Sequence, residues 1–144
     1  MVDIRNATPA DAPALARMNA AFNGVSDPAE QIAMRLAACA DFETPIVAEL
    51  DGQAIGFACV RVVPCVLYAD PYAELTELFV ERPYRHRGVG RALIERAEQL
   101  ARTRGAADMI IMTSVSNSAA QALYHSAGYD TYAVALNRKV AHGR

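Results

Sequence analysis

The 144-residue chain has no tryptophan, three cysteines, no run of apolar residues long enough to cross a bilayer and only a slight excess of acidic over basic residues. Cys39, Cys59 and Cys65 are odd in number and form no C-x-x-C pair, so neither a disulfide framework nor a zinc motif is indicated, and a reducing compartment fits. Fourteen Lys and Arg against sixteen Asp and Glu give a net charge of -2, which argues against a surface built throughout for nucleic acid; any basic site must be local. A spanning helix needs roughly 18 or more apolar residues, and the opening MVDIRNATPAD carries acids and a proline where a signal peptide carries an apolar run. The expectation is a cytoplasmic protein with no membrane and no nucleic-acid partner.

What is present is ample core material, 53% hydrophobic residues, in a length typical of one domain. Val2 to Asn6 reads as a strand, and Thr8, Pro9 and Asp11 spell a helix start: a hydroxyl cap, a proline at the first helical position and a carboxylate. A second start follows at Asp27-Pro28-Ala29-Glu30, where an aspartate cap and a glutamate three residues later resemble a capping box. Asp51-Gly52 between two β-rich runs predicts a hairpin with strands over Pro45 to Leu50 and Gln53 to Val63. Glu74 to Val80 reads as a strand, Val89 to Ala101 as an amphipathic helix stopped at Gly105, and Ala107 to Thr113 as an apolar strand. Asn117 to Ala127 is helical, capped by Ser116 or Asn117 and ended by Gly128, and Tyr132 to Val140 is a last strand. The chain is thus one α/β unit of roughly six strands and four helices.

Between the strand ending at Val80 and the helix near Gly88 lies VERPYRHRGVGRAL, with Arg82, Arg85, His86, Arg87 and Arg91 around two glycines. A turn and a helix N-terminus offer N–H groups and partial positive charge to an anion, and glycine lets a phosphate approach the backbone. Arginine in a first turn opposes the helix dipole, so an external anion is needed to reward it. A dinucleotide fingerprint requires a small third residue, and Leu93 stands there; a P-loop requires G-K-S or G-K-T, and Arg91 follows Gly90.

Arg85-His86-Arg87-Gly88-Val89-Gly90 resembles the R/Q-x-x-G-x-G/A signature of the GNAT superfamily of N-acetyltransferases, in register after LTELFV and before VGRALIERA. Asn117, Ala120, Tyr124, Gly128 and Tyr129 are similar to a second pattern of that family, N-x-x-A-x-x-x-Y-x-x-x-G-F/Y. The resemblance implies a single N-acetyltransferase domain over residues 1–144. It also implies an α/β (α+β) GNAT-like fold: a mixed, mostly antiparallel sheet splayed between the fourth and fifth strands, with helices on both faces. Acetyl-CoA would be the co-substrate, and no metal is implied. Backbone groups of Leu78 and Val80 would hydrogen-bond pantetheine, N–H groups from Arg87 to Arg91 (Gly88, Val89 and Gly90 between them) would hold the pyrophosphate, and Phe79, Arg85 and His86 would also line the cofactor. Arg82 or Arg85 would reach a 3′-phosphate, and Asn117 and Ala120 would lie at the pantetheine.

Acetyl transfer to an amine adds its own demands. A lysine-like ammonium, with a reference pKa of about 10.4, must lose a proton before it attacks a thioester, so a base or water path is required. Glu74 and Glu77 are candidates, but residues three apart point to opposite faces of a regular strand, and both can serve only if a bulge intervenes. By resemblance Tyr124 is the acid that protonates the departing thiolate; as a helix residue in line with Ala120 and Ala127 it could equally be a packing tyrosine. His86, His125 and His142 lack metal spacing, and Cys59 and Cys65 read as packing residues, so direct transfer in a ternary complex is expected. Asp70, Glu74, Glu77 and Glu81 would make an acidic mouth suited to a cationic amine or simply a solvated rim. A missing C-terminal strand supplied by a second copy would make a homodimer. Two rivals are a non-catalytic acyl-CoA sensor, which would tolerate loss of Tyr124, and a dinucleotide-binding module, which would prefer NAD to acetyl-CoA.

Overall fold

A computed structural model describes residues 1–141, so His142 lies outside the described residues. Two compact units are present, Met1–Ile111 and a second that begins at Met112. The first holds a five-stranded sheet in the order β1 (Asp3–Asn6), β2 (Glu43–Leu50), β3 (Gln53–Val63), β4 (Tyr72–Val80), β5 (Ile110–Ile111). Every neighbouring pair is antiparallel except β4 with β5, which is parallel, so the sheet is mixed and mostly antiparallel as expected.

Local chemistry accounts for most boundaries. Thr8 caps a short 3-10 turn, Pro9–Asp11, with a reciprocal capping box from Asp11, and α1 (Ala12–Asn23) continues from it to a left-handed Gly24. Asp51 and Gly52, at φ 50° and 78°, supply the two left-handed residues that a tight hairpin between β2 and β3 requires. The helix α2 (Ala29–Ala38) departs from its sequence reading: its N-cap is Pro28 with no side-chain cap, because Asp27 accepts from Arg35 at 2.7 Å instead. The helix α3 (Val89–Thr103) follows Gly88, and Gly105 turns left-handed just beyond its end.

The alternation of β2 and β3 distributes the core to both faces. Val47, Phe57 and Phe79 pack with Leu15 and Met18 of α1, with Ile32 and Leu36 of α2 against them. The opposite face carries Ile46, Ala58, Val60 and Leu75, and α3 supplies the buried Leu93, Ile94 and Ala97. Each fully buried Leu, Ile, Phe or Met adds about 1.5–3 kcal/mol, which makes this double-faced packing the main source of stability. Helices on both faces therefore hold for the first unit.

One expected strand is shortened and another is not formed among the described residues. The apolar run from Ala107 to Thr113 contributes only Ile110–Ile111, paired with Glu74 and Leu75. Residues 132–140 form no strand in the described structure: Tyr132, Val134 and Leu136 alternate as a strand would, yet are 86%, 85% and 92% exposed, with no described strand beside them. A β pattern without a neighbour has no ladder to satisfy its backbone, which is why alternation alone does not make a strand. The second unit holds α4 (Ser118–Ser126), begun at Asn117, whose side chain accepts from the Ala120 N–H at 3.1 Å. That identifies Asn117, rather than Ser116, as the cap.

Candidate functional site

The splay follows from the shortness of β5. Past Leu75, β4 has a described strand neighbour on one side only, that of β3. The Glu81 N–H donates to the Ile55 carbonyl at 2.9 Å, so by strand alternation Phe79 also faces β3, while the main-chain groups of Leu78 and Val80 turn to the open edge. Gly56 lets the two strands close up here: a Cβ at that position would lie 2.8 Å from the Phe79 carbonyl oxygen. Arg85 Nε donates to the Val80 carbonyl at 2.8 Å, and its guanidinium lies 5.7 Å from the Phe79 ring centroid. That guanidinium is thus tied to the end of the strand.

Beyond Val80 the chain makes a 3-10 turn, Arg82–Tyr84, then passes His86 at φ 60° and Gly88 at φ 81° into α3. A backbone so sharply reversed favours glycine, and at Gly88 it also leaves the helix start without a side-chain cap. The first intrahelical acceptance is from Ala92 to the Gly88 carbonyl, so the N–H groups of Val89 and Gly90 lie in the first turn, where no helix carbonyl reaches them. Arg82, His86, Arg87 and Gly88 are exposed around this end, and Arg91 reaches Glu95 at 3.4 Å. An open strand edge therefore runs directly into a positive, sterically bare helix terminus. Those are the two features that a pantetheine arm followed by a pyrophosphate needs, and the residues present fit them.

Glu74 and Glu77 share a face. The β3–β4 register pairs Arg61 with Glu74 and Val60 with Leu75, but Cys59 with Glu77, so Thr76 is an extra residue in β4. This bulge restores to one side two acids whose spacing alone would separate them. Glu77 meets α1, where Asn23 Nδ2 donates to it at 3.3 Å, while Glu74 accepts from the Tyr72 hydroxyl of its own strand at 3.2 Å. Burial and the adjacent Glu74 charge both raise the Tyr72 phenol above its ordinary pKa.

On this same face a cavity of about 260 Å³ lies between α1, α2 and the sheet, with Asn19, Leu36, Phe57, Cys59, Glu43 and Glu77 on its walls. Burial pushes the Cys59 thiol far up, and the nearby Glu43 and Glu77 carboxylates push it further; a thiol held protonated is a poor nucleophile. Glu43 was not signalled by any motif. Its Oε1 accepts from the Thr76 hydroxyl at 2.7 Å, and its Oε2 meets Arg61 at 3.5 Å, so the bulge residue also orients this acid. Glu81, by contrast, is taken by an ion pair with Arg17 of α1, which also donates to the Ala54 carbonyl at 3.2 Å; it leaves the acidic group expected at the mouth.

In the second unit, Ala120 donates its N–H to Asn117, and Tyr124 meets Tyr129 edge-on with ring centroids 6.5 Å apart. The Tyr129 N–H closes on the Tyr124 carbonyl at 3.0 Å around the left-handed Gly128, which accounts for the Y-x-x-x-G-Y spacing as a helix end. His125 Nδ1 lies 2.8 Å from the Tyr129 carbonyl oxygen. Among the described residues no cluster of three or more His, Cys, Asp or Glu is placed to hold a metal ion, and no helix is long and apolar enough to cross a membrane.

The chain belongs to the Acetyltransferase (GNAT) family, which it matches over residues 13–129. Among relatives, it is 36% identical over 83 residues to N-acetyltransferase family 8 member 3 of Rattus norvegicus, covering 58% of this chain and 36% of that protein. It is 29% identical over 131 residues to an aminoglycoside N(6')-acetyltransferase type 1 of Stenotrophomonas maltophilia, covering 88% and 85% of the two chains. The match to the rat protein thus spans about a third of that relative's length. Among solved structures, the aminoglycoside N-acetyltransferase AAC(6')-Iy in complex with CoA superposes with a TM-score of 0.85 at 25% identity, covering 98% of this chain and 96% of that one. The fold is that of CoA-binding GNAT acetyltransferases.

Proposed function

We propose that residues 1–144 act as one N-acetyltransferase domain that moves an acetyl group from acetyl-CoA to a primary amine. The observation that carries this reading is the continuity of the open β4 edge at Leu78 and Val80 with the bare helix start at Gly88. Acetyl-CoA, when bound, supplies the acetyl group as a thioester. The chain's own residues do the rest. Main-chain groups of Leu78 and the N–H of Val80, whose carbonyl Arg85 holds, pair with the pantetheine arm, and the N–H groups of Val89 and Gly90 meet phosphate oxygens at the positive end of α3. Arg87 and Arg91 add positive charge there, and Arg82 is the arginine available for a further phosphate, since Arg85 is engaged at Val80.

Glu77, on the cavity face, takes the proton that the acceptor ammonium must lose. Glu74 shares that face but holds the Tyr72 hydroxyl, which makes it the second choice. Tyr124 carries on its hydroxyl the proton that the departing sulfur takes up; its motif register supports the role. The Asn117 side chain is occupied as a helix cap, which leaves its backbone for any cofactor contact.

Calorimetry with acetyl-CoA, CoA and NAD, followed by a screen of amine classes that records CoA release, tests the reading. Micromolar acetyl-CoA binding with amine-dependent CoA release is the expected result. Preference for NAD, or the absence of acetyl-CoA binding, overturns it; binding without release to any amine favours an acyl-CoA sensor.

A further inference from the structure

The cavity beside Glu77 has a second charged wall that the transfer step does not use. Glu43 enters it from the first residue of β2, on the strand two places across the sheet from Glu77. Its carboxylate is not free to turn away: the Thr76 hydroxyl donates to one oxygen at 2.7 Å, and the other lies 3.5 Å from Arg61. The Cys59 side chain lies between the two acids, and both raise its thiol pKa, so their fields overlap within the cavity.

The other charged groups on this face leave the balance negative. Arg35 lines the cavity from α2, but Asp27 accepts from it at 2.7 Å. Arg61 from β3 stands against Glu43 and, across the strand pair, Glu74. Asn19 and Asn23 from α1 bring amides, not charges. Glu43, Glu74, Glu77 and Asp27 against Arg35 and Arg61 make four negative groups to two positive. A cavity of about 260 Å³ lies just below the usual range for drug-sized ligands, so it has room only for a compact arm of one.

We infer that Glu43 is a specificity-determining residue: it receives a second, non-reacting ammonium of the acceptor while Glu77 faces the amine to be acetylated. This deepens the acetyl-transfer reading and rests on it. The acceptor class is then a compact amine carrying at least two cationic nitrogens, and a monoamine of the same length leaves Glu43 with only Thr76 and the long contact to Arg61. Thr76 is a positioning residue that acts through Glu43.

The test is a matched pair, 1,5-diaminopentane and 1-aminopentane, titrated into the CoA-saturated protein and followed by NMR. The wild type should bind the diamine roughly 10-fold tighter, about 1.4 kcal/mol, and the ratio should shrink with added salt as screening predicts. Glu43→Gln keeps an acceptor for the Thr76 hydroxyl and should bring the ratio to within about 2-fold of one. Thr76→Val should reduce the ratio part of the way. A wild-type ratio near one overturns the inference without any variant, and so does a ratio that survives in E43Q. Failure of the protein to bind CoA at all would instead remove the acetyl-transfer reading, so the two failures are separate.

Discussion

Gly88 offers the sharpest test of how the phosphate end works. It lies at φ 81° and ψ 1°, and a Cβ placed there would find no atom within 4 Å. Gly88→Ala therefore introduces no collision; its cost in the free protein is conformational, about 1–2 kcal/mol for a left-handed L-residue, partly offset by about 0.4–1 kcal/mol from a stiffer unfolded chain. The net loss of about 1 kcal/mol should lower the midpoint of thermal unfolding by about 4 °C. With the cofactor the methyl acts differently, because it removes the bare backbone that a phosphate closing on the first-turn N–H groups requires. Loss of one charge-assisted hydrogen bond costs about 1.5–3 kcal/mol, a weakening of roughly 10- to 150-fold. Calorimetry should find that loss for acetyl-CoA and not for acetyl-pantetheine, which has no pyrophosphate. If both ligands weaken equally, or if stability falls while acetyl-CoA affinity is unchanged, Gly88 is only a turn residue and the phosphate does not sit where it is assigned.

Other expectations are simpler to state. Tyr124→Phe should lower kcat at least tenfold while leaving acetyl-CoA affinity intact; equal loss in both would mean a packing role. Glu77→Gln should lower kcat about 100-fold and Glu74→Gln far less, and the reverse order in steady-state assays would exchange their roles. The Arg5 guanidinium, donating to Asp11 at 2.8 and 2.9 Å and to Glu49 at 2.5 Å, holds the Asp11 carboxyl below its ordinary pKa, with the Thr8 N–H adding to the effect and burial opposing it. A depressed folded-state pKa adds stability above the unfolded value near 4 and loses it as pH falls through the folded one. Urea midpoints from pH 7 to pH 2.5 should therefore fall below about pH 4 in the wild type. Asp11→Asn should be about 2 kcal/mol less stable at neutral pH and flatter in acid; parallel curves would contradict the assignment.

Much of the first unit was legible because its signals are local. Asp51-Gly52 dictates a left-handed pair, Thr8 to Asp11 encode their own cap, and the motif around Gly88 joins strand to helix within a few residues. The errors lie where a distant partner decides. Asp27 satisfies the sequence rule for a cap, but its carboxylate instead accepts from Arg35, about two turns along α2. The segment after Gly128 has the alternation of a strand, but pairing is a property of two segments and cannot be read from one. Glu43 stands 34 residues from Glu77 in the chain, and only the hairpin and the β3–β4 register bring the two to one cavity. The hydrogen bond from Arg85 Nε to the Val80 carbonyl was likewise not legible, because the sequence shows a charge without showing which carbonyl it meets.

Thr76 bears on how such proteins are compared. Two acids written E-x-x-E here occupy the points on the sheet that E-x-E would occupy in a strand without the extra residue. A relative that lacked Thr76 would keep both carboxylates on the same side, while an alignment by spacing would score one of them as lost. Insertion and preservation are then compatible: a chain can gain a residue in the middle of a strand and change the motif without moving its carboxylates to the other face.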